Sequence, residues 1–245
     1  MKSFYITDTG MMRDHNEDSV NIVKNGMGEH MLIVADGMGG HRAGEVASKI
    51  AVDHLSERFK KLSSIGNKRD AVDWLKENIL IINSEIIKYA NKNREALGMG
   101  TTLVVAILTE EFLIFGNIGD SSGYVIKNKK LHKVTKDHSL INVLIEAGEL
   151  TEEEAINYPK KNVLMKALGA SETIEPDEFD VETSVDGIFL ASDGLTNMLN
   201  DKQIEAVLNE KDLSIEEKLK KLVRKSNSRG GTDNISIAYL LKEEK

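Results

Sequence analysis

Short apolar runs separated by turn residues dominate the pattern along this chain. Runs rich in β-branched or aromatic residues predict strands. The predicted strands are Ser3–Thr7, Ser19–Val23, Met31–Ala35, Leu103–Leu108, Phe112–Ile118, Tyr124–Lys127, Leu131–Val134, Phe179–Glu182, Ile188–Ala191 and Ile235–Leu241. Strands that follow one another this closely are typical of antiparallel hairpins rather than parallel crossover units.

Apolar positions at helical spacing predict two long helices between the third and fourth strands, Ala43–Phe59 and Asp70–Arg94. Shorter helices are predicted at His138–Glu146, Thr151–Ile156, Asp201–Leu208 and Ile215–Lys225. Clustered strands and paired helices favour an α+β fold in which two packed antiparallel β-sheets are flanked by helices, an α-β-β-α sandwich. With no linker or internal repeat, residues 1–245 are predicted to form a single domain.

Composition narrows the choice of chemistry. The chain has 245 residues, a net charge of -8 and no cysteine. Disulfides, thiolate zinc sites and cysteine nucleophiles are therefore excluded, and the acidic balance argues against nucleic acid or an anionic membrane as the main partner. The start of the chain has no signal-like apolar segment, so the expected compartment is the cytoplasm.

Four aspartates stand at the ends of predicted strands. Asp36, Asp120 and Asp193 each follow an apolar run, whereas Asp233 precedes the last one. In antiparallel sheets the end of one strand lies beside the start of its neighbour, so the four are expected to meet at one rim. Crowded carboxylates need cations, and oxygen ligands suit Mg²⁺ or Mn²⁺. Any single Asp–Gly pair can also be an ordinary turn.

Two such ions sharing one carboxylate would activate a water for attack on a phosphate. Seven motifs in order then point to a family: GMMRDHNEDS (Gly10–Ser19), VADGMGGHRAGE (Val34–Glu45), GMGTTL (Gly98–Leu103), NIGDSS (Asn117–Ser122), TKDHSL (Thr135–Leu140), SDGLTNML (Ser192–Leu199) and GGTDNIS (Gly230–Ser236). Together they make the chain resemble the protein phosphatase 2C family, the metal-dependent Ser/Thr protein phosphatases, and in particular its compact bacterial members.

The resemblance implies a binuclear Mn²⁺/Mg²⁺ centre. Asp36 matches the bridging ligand, and Gly37 matches a ligand that acts through its backbone carbonyl. Asp193 and Asp233 match the ligands that complete the second ion. The implied mechanism is direct attack of a metal-activated water on phosphoserine or phosphothreonine, without a phosphoenzyme.

Further residues match the family pattern around this centre. Glu17 and Asp18 match an acidic pair near the metals, with Asp18 acting through water. Asp120, together with Asp193, matches a third-metal site. Arg13 matches the arginine that grips the substrate phosphate, a role that suits the bidentate guanidinium group.

The chain departs from the family pattern at three positions. Met38 stands where many eukaryotic members have a histidine as candidate general acid, which leaves water, His41 or another group to protonate the leaving alkoxide. Ser122 replaces an arginine and Tyr158 replaces a histidine found in several bacterial relatives.

Residues 138–162 match a small helical flap beside the active site, and we expect this flap to gate peptide substrates.

Several other functions compete with the phosphatase. Asp8-Thr9-Gly10 resembles an aspartic protease turn, but no second triplet follows it. A haloacid-dehalogenase-type phosphatase would need an Asp-x-Asp motif after its first strand, which this chain lacks. The alternative from another class is a metal-binding pseudophosphatase that serves as an adaptor. For the phosphatase, the expected partners are phosphoproteins and a cognate Ser/Thr kinase, and the expected state is a monomer.

Overall fold

The computed structural model describes residues 1–40, 42–155, 158 and 163–242. Its strands are β1 (Lys2–Asp8), β2 (Asp18–Lys24), β3 (His30–Met38), β4 (Gly100–Thr101), β5 (Leu103–Leu108), β6 (Leu113–Ile118), β7 (Ser122–Lys127), β8 (Lys130–Lys133), β9 (Asp177–Val181), β10 (Gly187–Ala191) and β11 (Ile235–Leu241). Its α-helices are α1 (Ala43–Lys60), α2 (Lys68–Lys92), α3 (Leu140–Glu146), α4 (Glu152–Ala155), α5 (Asp193–Thr196), α6 (Asp201–Leu208) and α7 (Ile215–Ser228).

The strands form two antiparallel sheets. One has the order β1-β11-β10-β7-β8, and the other has the order β2-β3-β5-β6-β9, with the short β4 paired to β3. β1 pairs with β11 in the register Lys2 opposite Leu241, so the first strand needs the last one as its neighbour. The predicted α+β sandwich of two antiparallel sheets flanked by helices is confirmed.

Three apolar layers explain why the sheets stack in this way. Side chains of alternating positions on β3, such as Leu32 and Val34, pack between the sheets against Ile188 and Leu240. The intervening residues of β3, including Ile33, face the opposite way and pack under α1 and α2. α6 and α7 cover the outer face of the other sheet. Since side chains alternate along a strand, fully apolar strands are needed where both faces are covered.

β3 is longer than the apolar run predicted. We expected the strand to stop before Asp36, but it continues through Gly37 to Met38. The reason is pairing at its far end, where Gly37 lies opposite Thr101 and Met38 opposite Gly100 in β4. Hydropathy could not show this extension, because a two-residue strand carries almost no pattern of its own.

The predicted flap lies partly within the described residues. α3 begins after Ser139, whose side chain accepts a hydrogen bond from the Asn142 backbone. α4 follows, and the part of the flap at 156, 157 and 159–162 lies outside the described residues.

The described helices include no candidate for a membrane-spanning segment by length and hydropathy.

Candidate metal centre

Five carboxylates gather at one rim of the sandwich, with Asp36 in the middle. The side chain of Asp36 is part-buried, and its removal from water raises its pKa well above its usual value. The negative charges of four neighbours raise the pKa further: Asp18, Asp193, Asp233 and Asp120. The expectation that the four strand-end aspartates meet at one rim is confirmed, and Asp18 joins them.

Asp18 reaches the rim because it opens β2 directly opposite Asp36 in β3. It is only 7% exposed, and its Oδ2 accepts a hydrogen bond of 2.7 Å from the Ser192 hydroxyl. Burial is the main cause that raises the pKa of Asp18 to about 7, and the charges of Asp193 and Asp233 add to it. A like-charged pair facing across two strands is destabilising unless something neutralises it.

The backbone of Asp36 is fixed by two buried threonines at the β4–β5 junction. Its N–H donates to the Thr102 hydroxyl at 2.9 Å, and its carbonyl accepts from the Thr101 hydroxyl and the Thr102 N–H. Thr102 Oγ1 also lies 2.7 Å from the buried Ser121 hydroxyl. These contacts hold the backbone of Asp36 in one position and so limit where its carboxylate can lie.

Asp193 and Asp120 enter the rim from different sheets. Asp193 opens the short helix α5 after β10, and its Oδ2 accepts from the Asn197 amide at 3.0 Å. Asp120 follows β6, and burial together with the charge of Asp193 raises its pKa to about 7. Burial and the charge of Asp233 also raise the pKa of Asp193. Asp120 and Asp193, the two carboxylates predicted for a third site, are therefore close enough for the charge of Asp193 to act on Asp120.

Two glycines allow backbone segments to approach each other closely at this rim. A Cβ on Gly37 would lie 2.1 Å from the carbonyl oxygen of Gly44 in α1. A Cβ on Gly194 would lie 2.0 Å from the carbonyl oxygen of Asn234. Because any larger residue would push these segments apart, glycine is required at both positions for packing.

Arg13 lies at the rim in contact with Asp233. Its side chain is half exposed, and its Nη2 donates to Asp233 Oδ2 at 2.8 Å. Glu17 lies nearby with its pKa raised by burial, while the positive charge of Arg13 opposes that rise. The structure therefore brings the predicted phosphate-binding arginine to the predicted metal ligands.

Sequence reasoning missed two polar residues that organise this rim. Asn234 donates from its amide to the carbonyls of Thr9 and His15, and its Oδ1 accepts from the Glu17 N–H at 2.8 Å. Ser192 donates to Asp18 and accepts from the Ser236 N–H at 2.9 Å. The available signal was their position, since Ser192 precedes Asp193 and Asn234 follows Asp233. Nothing in the sequence indicated which distant residues they would contact.

The residues fit a divalent cation. Three buried carboxylate oxygens find no hydrogen-bond partner within the described part of the chain: Glu17 Oε1, Asp18 Oδ1 and Asp193 Oδ1. Buried charged oxygens left without partners are costly unless a cation takes them up. Among the described residues, no three acidic or histidine side chains already converge on one point as a metal-binding group. The fit therefore rests on crowding, burial and the unpaired oxygens.

Three of the residues that depart from the family pattern lie within the described part of the chain. Met38 ends β3 opposite Gly100. Ser122 is buried, with its hydroxyl 3.5 Å from Asp137 Oδ1. Tyr158 is part-buried after α4. His41, the alternative general acid, lies outside the described residues.

Comparison with known proteins gives a consistent result. The family model described as protein phosphatase 2C matches residues 12–236. The serine/threonine phosphatase stp of Listeria monocytogenes is 42% identical over 245 residues, covering 99% of this chain and 96% of the relative. The crystal structure of serine/threonine phosphatase Stp1 from Staphylococcus aureus superimposes with a TM-score of 0.92 at 36% identity, covering 99% of this chain and 95% of that one.

A further solved structure carries metal. It is the catalytic domain of the serine/threonine protein phosphatase PstP in complex with two manganese ions, with a TM-score of 0.84 at 30% identity, covering 97% of this chain and 96% of that one. The matches span nearly the whole chain and agree with the carboxylate-rich rim. The chain belongs to the protein phosphatase 2C family, the metal-dependent serine/threonine protein phosphatases.

Proposed function

We propose that the rim holds two divalent ions, Mn²⁺ or Mg²⁺, and that the protein uses them to hydrolyse phosphoserine and phosphothreonine in proteins. Asp36 would bridge the ions, with the Gly37 carbonyl, Asp193 and Asp233 as further ligands. The observation that carries this proposal is the crowding of the part-buried Asp36 by four other carboxylates. The PstP relative with two manganese ions supports the number of ions.

Three further acidic residues complete the proposed centre. Asp18 would act through water, because its Oδ2 already accepts the Ser192 hydroxyl and its Oδ1 is unpaired among the described atoms. Glu17 would lie beside the metals. Asp120 would join Asp193 at a third site, and the effect of the Asp193 charge on the pKa of Asp120 supports this.

Bound ions of this type neutralise negative charge and lower the pKa of water, so that hydroxide is accessible near neutral pH. Arg13 is suited to hold the substrate phosphate, because its guanidinium group is half exposed at the rim and can pair with two oxygens. The buried Ser192 hydroxyl already donates to Asp18, which leaves it unsuited to act as a nucleophile. We therefore propose direct attack of water, without a phosphoenzyme.

We also propose that residues 1–245 form one catalytic domain whose flap, 138–162, gates peptide access. The start of the flap is held beside Asp120, because the His138 N–H donates to the Gly119 carbonyl at 2.9 Å. The chain just after the flap returns to this point, where the Met165 N–H donates to the His138 carbonyl at 2.8 Å. The proposed cellular role is that of a cytoplasmic monomer that reverses a partner Ser/Thr kinase.

The experiment is phosphate release from a phosphothreonine peptide with Mn²⁺, with and without EDTA. We expect turnover in the wild type, loss with EDTA, and loss of at least a thousandfold in Asp36→Ala and Asp233→Ala, since each removes a proposed ligand. Asp53→Ala is the matched control, because Asp53 pairs with Lys49 on the surface of α1. Binding of Mn²⁺ by the wild type without turnover would contradict the proposal and favour an adaptor.

A further inference from the structure

Two large apolar side chains lie exposed directly beside the proposed phosphate-binding arginine. Met11 is 66% exposed and Met12 is 72% exposed. Single exposed apolar residues are ordinary on protein surfaces, whereas adjacent ones beside a proposed binding residue offer apolar area for contact with a ligand. The proposed catalytic machinery makes no use of either side chain.

The loop that carries these methionines is held in place by the turn that holds Asp233. The N–H groups of Met11 and Met12 both donate to the Gly231 carbonyl, at 2.8 and 3.1 Å. Gly10 has a φ of 79°, and a Cβ there would lie 2.2 Å from the Asp233 carbonyl oxygen. Because the loop is already fixed, a partner that contacts the two side chains need not order its backbone on binding.

Chain geometry keeps both methionines close to the residue proposed to bind the phosphate. Consecutive Cα atoms are about 3.8 Å apart, so Met11 and Met12 lie within about 8 Å of Arg13 along the loop. The same spacing separates a phosphorylated residue from its neighbours in a peptide. With the phosphate at Arg13, the residues that flank the phosphorylated one are the part of a substrate expected nearest to these side chains.

We propose that Met11 and Met12 bind the side chain next to the phosphorylated residue, and that the enzyme thereby favours phosphoproteins in which this neighbour is apolar. The inference rests on the proposed function, because it takes Arg13 as the phosphate-binding residue. Methionine is unbranched and flexible, so the contact accepts apolar side chains of different shape. An acidic neighbour is disfavoured, since it would lose water against apolar atoms beside a rim of carboxylates.

The test uses three phosphothreonine peptides that differ only in the residues flanking the phosphothreonine: leucine, glycine or glutamate on both sides. We expect the wild type with Mn²⁺ to show a kcat/KM about tenfold higher for the leucine peptide than for the glycine peptide, as partial burial of one large apolar side chain predicts. The glutamate peptide should be the poorest substrate. The preference should appear in KM rather than kcat, because the contact is the same before and during reaction.

In Met11→Ser/Met12→Ser we expect the leucine-to-glycine ratio to fall to about one. Met12→Ser alone is the second variant and should give an intermediate ratio, while thermal melts report whether each variant is folded. Met27→Ser is the matched control, because Met27 is 73% exposed on the turn between β2 and β3, and it should keep the wild-type ratio.

Two results would overturn the inference. One is a leucine-to-glycine ratio near one in the wild type, and the other is an unchanged ratio in the double variant. Failure of the proposed function looks different: the wild type would then release phosphate from none of the three peptides, and the inference would fall with it.

Discussion

Asp18 and Asp36 lie opposite each other on neighbouring strands, and the Ser192 hydroxyl donates to Asp18 at 2.7 Å on the side toward β10. Two carboxylates in this arrangement, one buried and one part-buried, resist simultaneous ionisation. The cost falls on the folded protein, since an unfolded chain would leave both groups in water. This pair therefore links the stability of the protein to pH and to metal.

We expect the metal-free protein to lose stability as pH rises from about 4 to about 8. The pKa of Asp18 is about 7 in the folded protein, against 3.8 as its ordinary value. Between these values the folded state holds more protons than the unfolded state, so raising the pH favours unfolding, by on the order of 4 kcal/mol for this group. Urea melts in EDTA at pH 5 and pH 8 measure the effect. Adding Mn²⁺ at pH 8 should restore the lost stability. Stability that increases from pH 5 to pH 8 in EDTA would contradict the prediction.

Asp36→Asn should make the metal-free protein more stable at pH 8 while abolishing phosphatase activity. The substitution removes the part-buried charge that lies among four other carboxylates. We expect a gain of about 2 kcal/mol or more in the free energy of unfolding, together with loss of the stabilisation by Mn²⁺. Asp53→Asn on the surface of α1 is the control and should change neither quantity. A less stable Asp36→Asn protein at pH 8 would argue against charge crowding.

Thr102→Val should impair both folding and Mn²⁺ binding, whereas Thr102→Ser should keep most of each. The valine has nearly the same shape but leaves the Asp36 N–H and the Ser121 hydroxyl without the Thr102 oxygen. An unsatisfied buried polar group costs about 1–3 kcal/mol. Urea melts and calorimetric titration with Mn²⁺ test the pair. Equal behaviour of the two variants would mean that the hydroxyl does not position Asp36.

Arg13→Lys should lower kcat/KM for p-nitrophenyl phosphate by about 10–100-fold, because lysine keeps the charge but loses the planar fork that pairs with two oxygens. Arg13→Ala should lower it further. The control is Arg224→Lys, an exposed position on α7. Wild-type kinetics in Arg13→Lys would indicate that a positive charge alone suffices at this position.

Gly194→Ala should destabilise the protein by about 3 kcal/mol or more, because the added Cβ would overlap the Asn234 carbonyl and separate α5 from the start of β11. Gly40→Ala is the matched control, since a Cβ there meets nothing within 4 Å among the described atoms. Thermal melts compare the two. Similar melting temperatures would show that the backbone at Gly194 can give way.

The sequence predicted the fold and the meeting of the carboxylates because both follow from local patterns. Apolar runs located the main strands, and antiparallel geometry then required residues at their ends to share a rim. The sequence did not show which residues far apart in the chain would be in contact. The Arg13–Asp233 ion pair and the Ser192–Asp18 hydrogen bond join residues separated by 220 and 174 positions, and no periodicity records such pairings.

The pairing of β1 with β11 has a consequence for how the protein becomes active during synthesis. The loop that carries Arg13 is held by Asn234 and Gly231, and Asn234 lies 219 positions after its partner His15 in the chain. Until β11 has been made, β1 lacks the strand it pairs with, and Asp233 has not joined the other carboxylates. A nascent chain therefore cannot assemble the rim early, and phosphatase activity should arise only once β11 has been made and paired with β1.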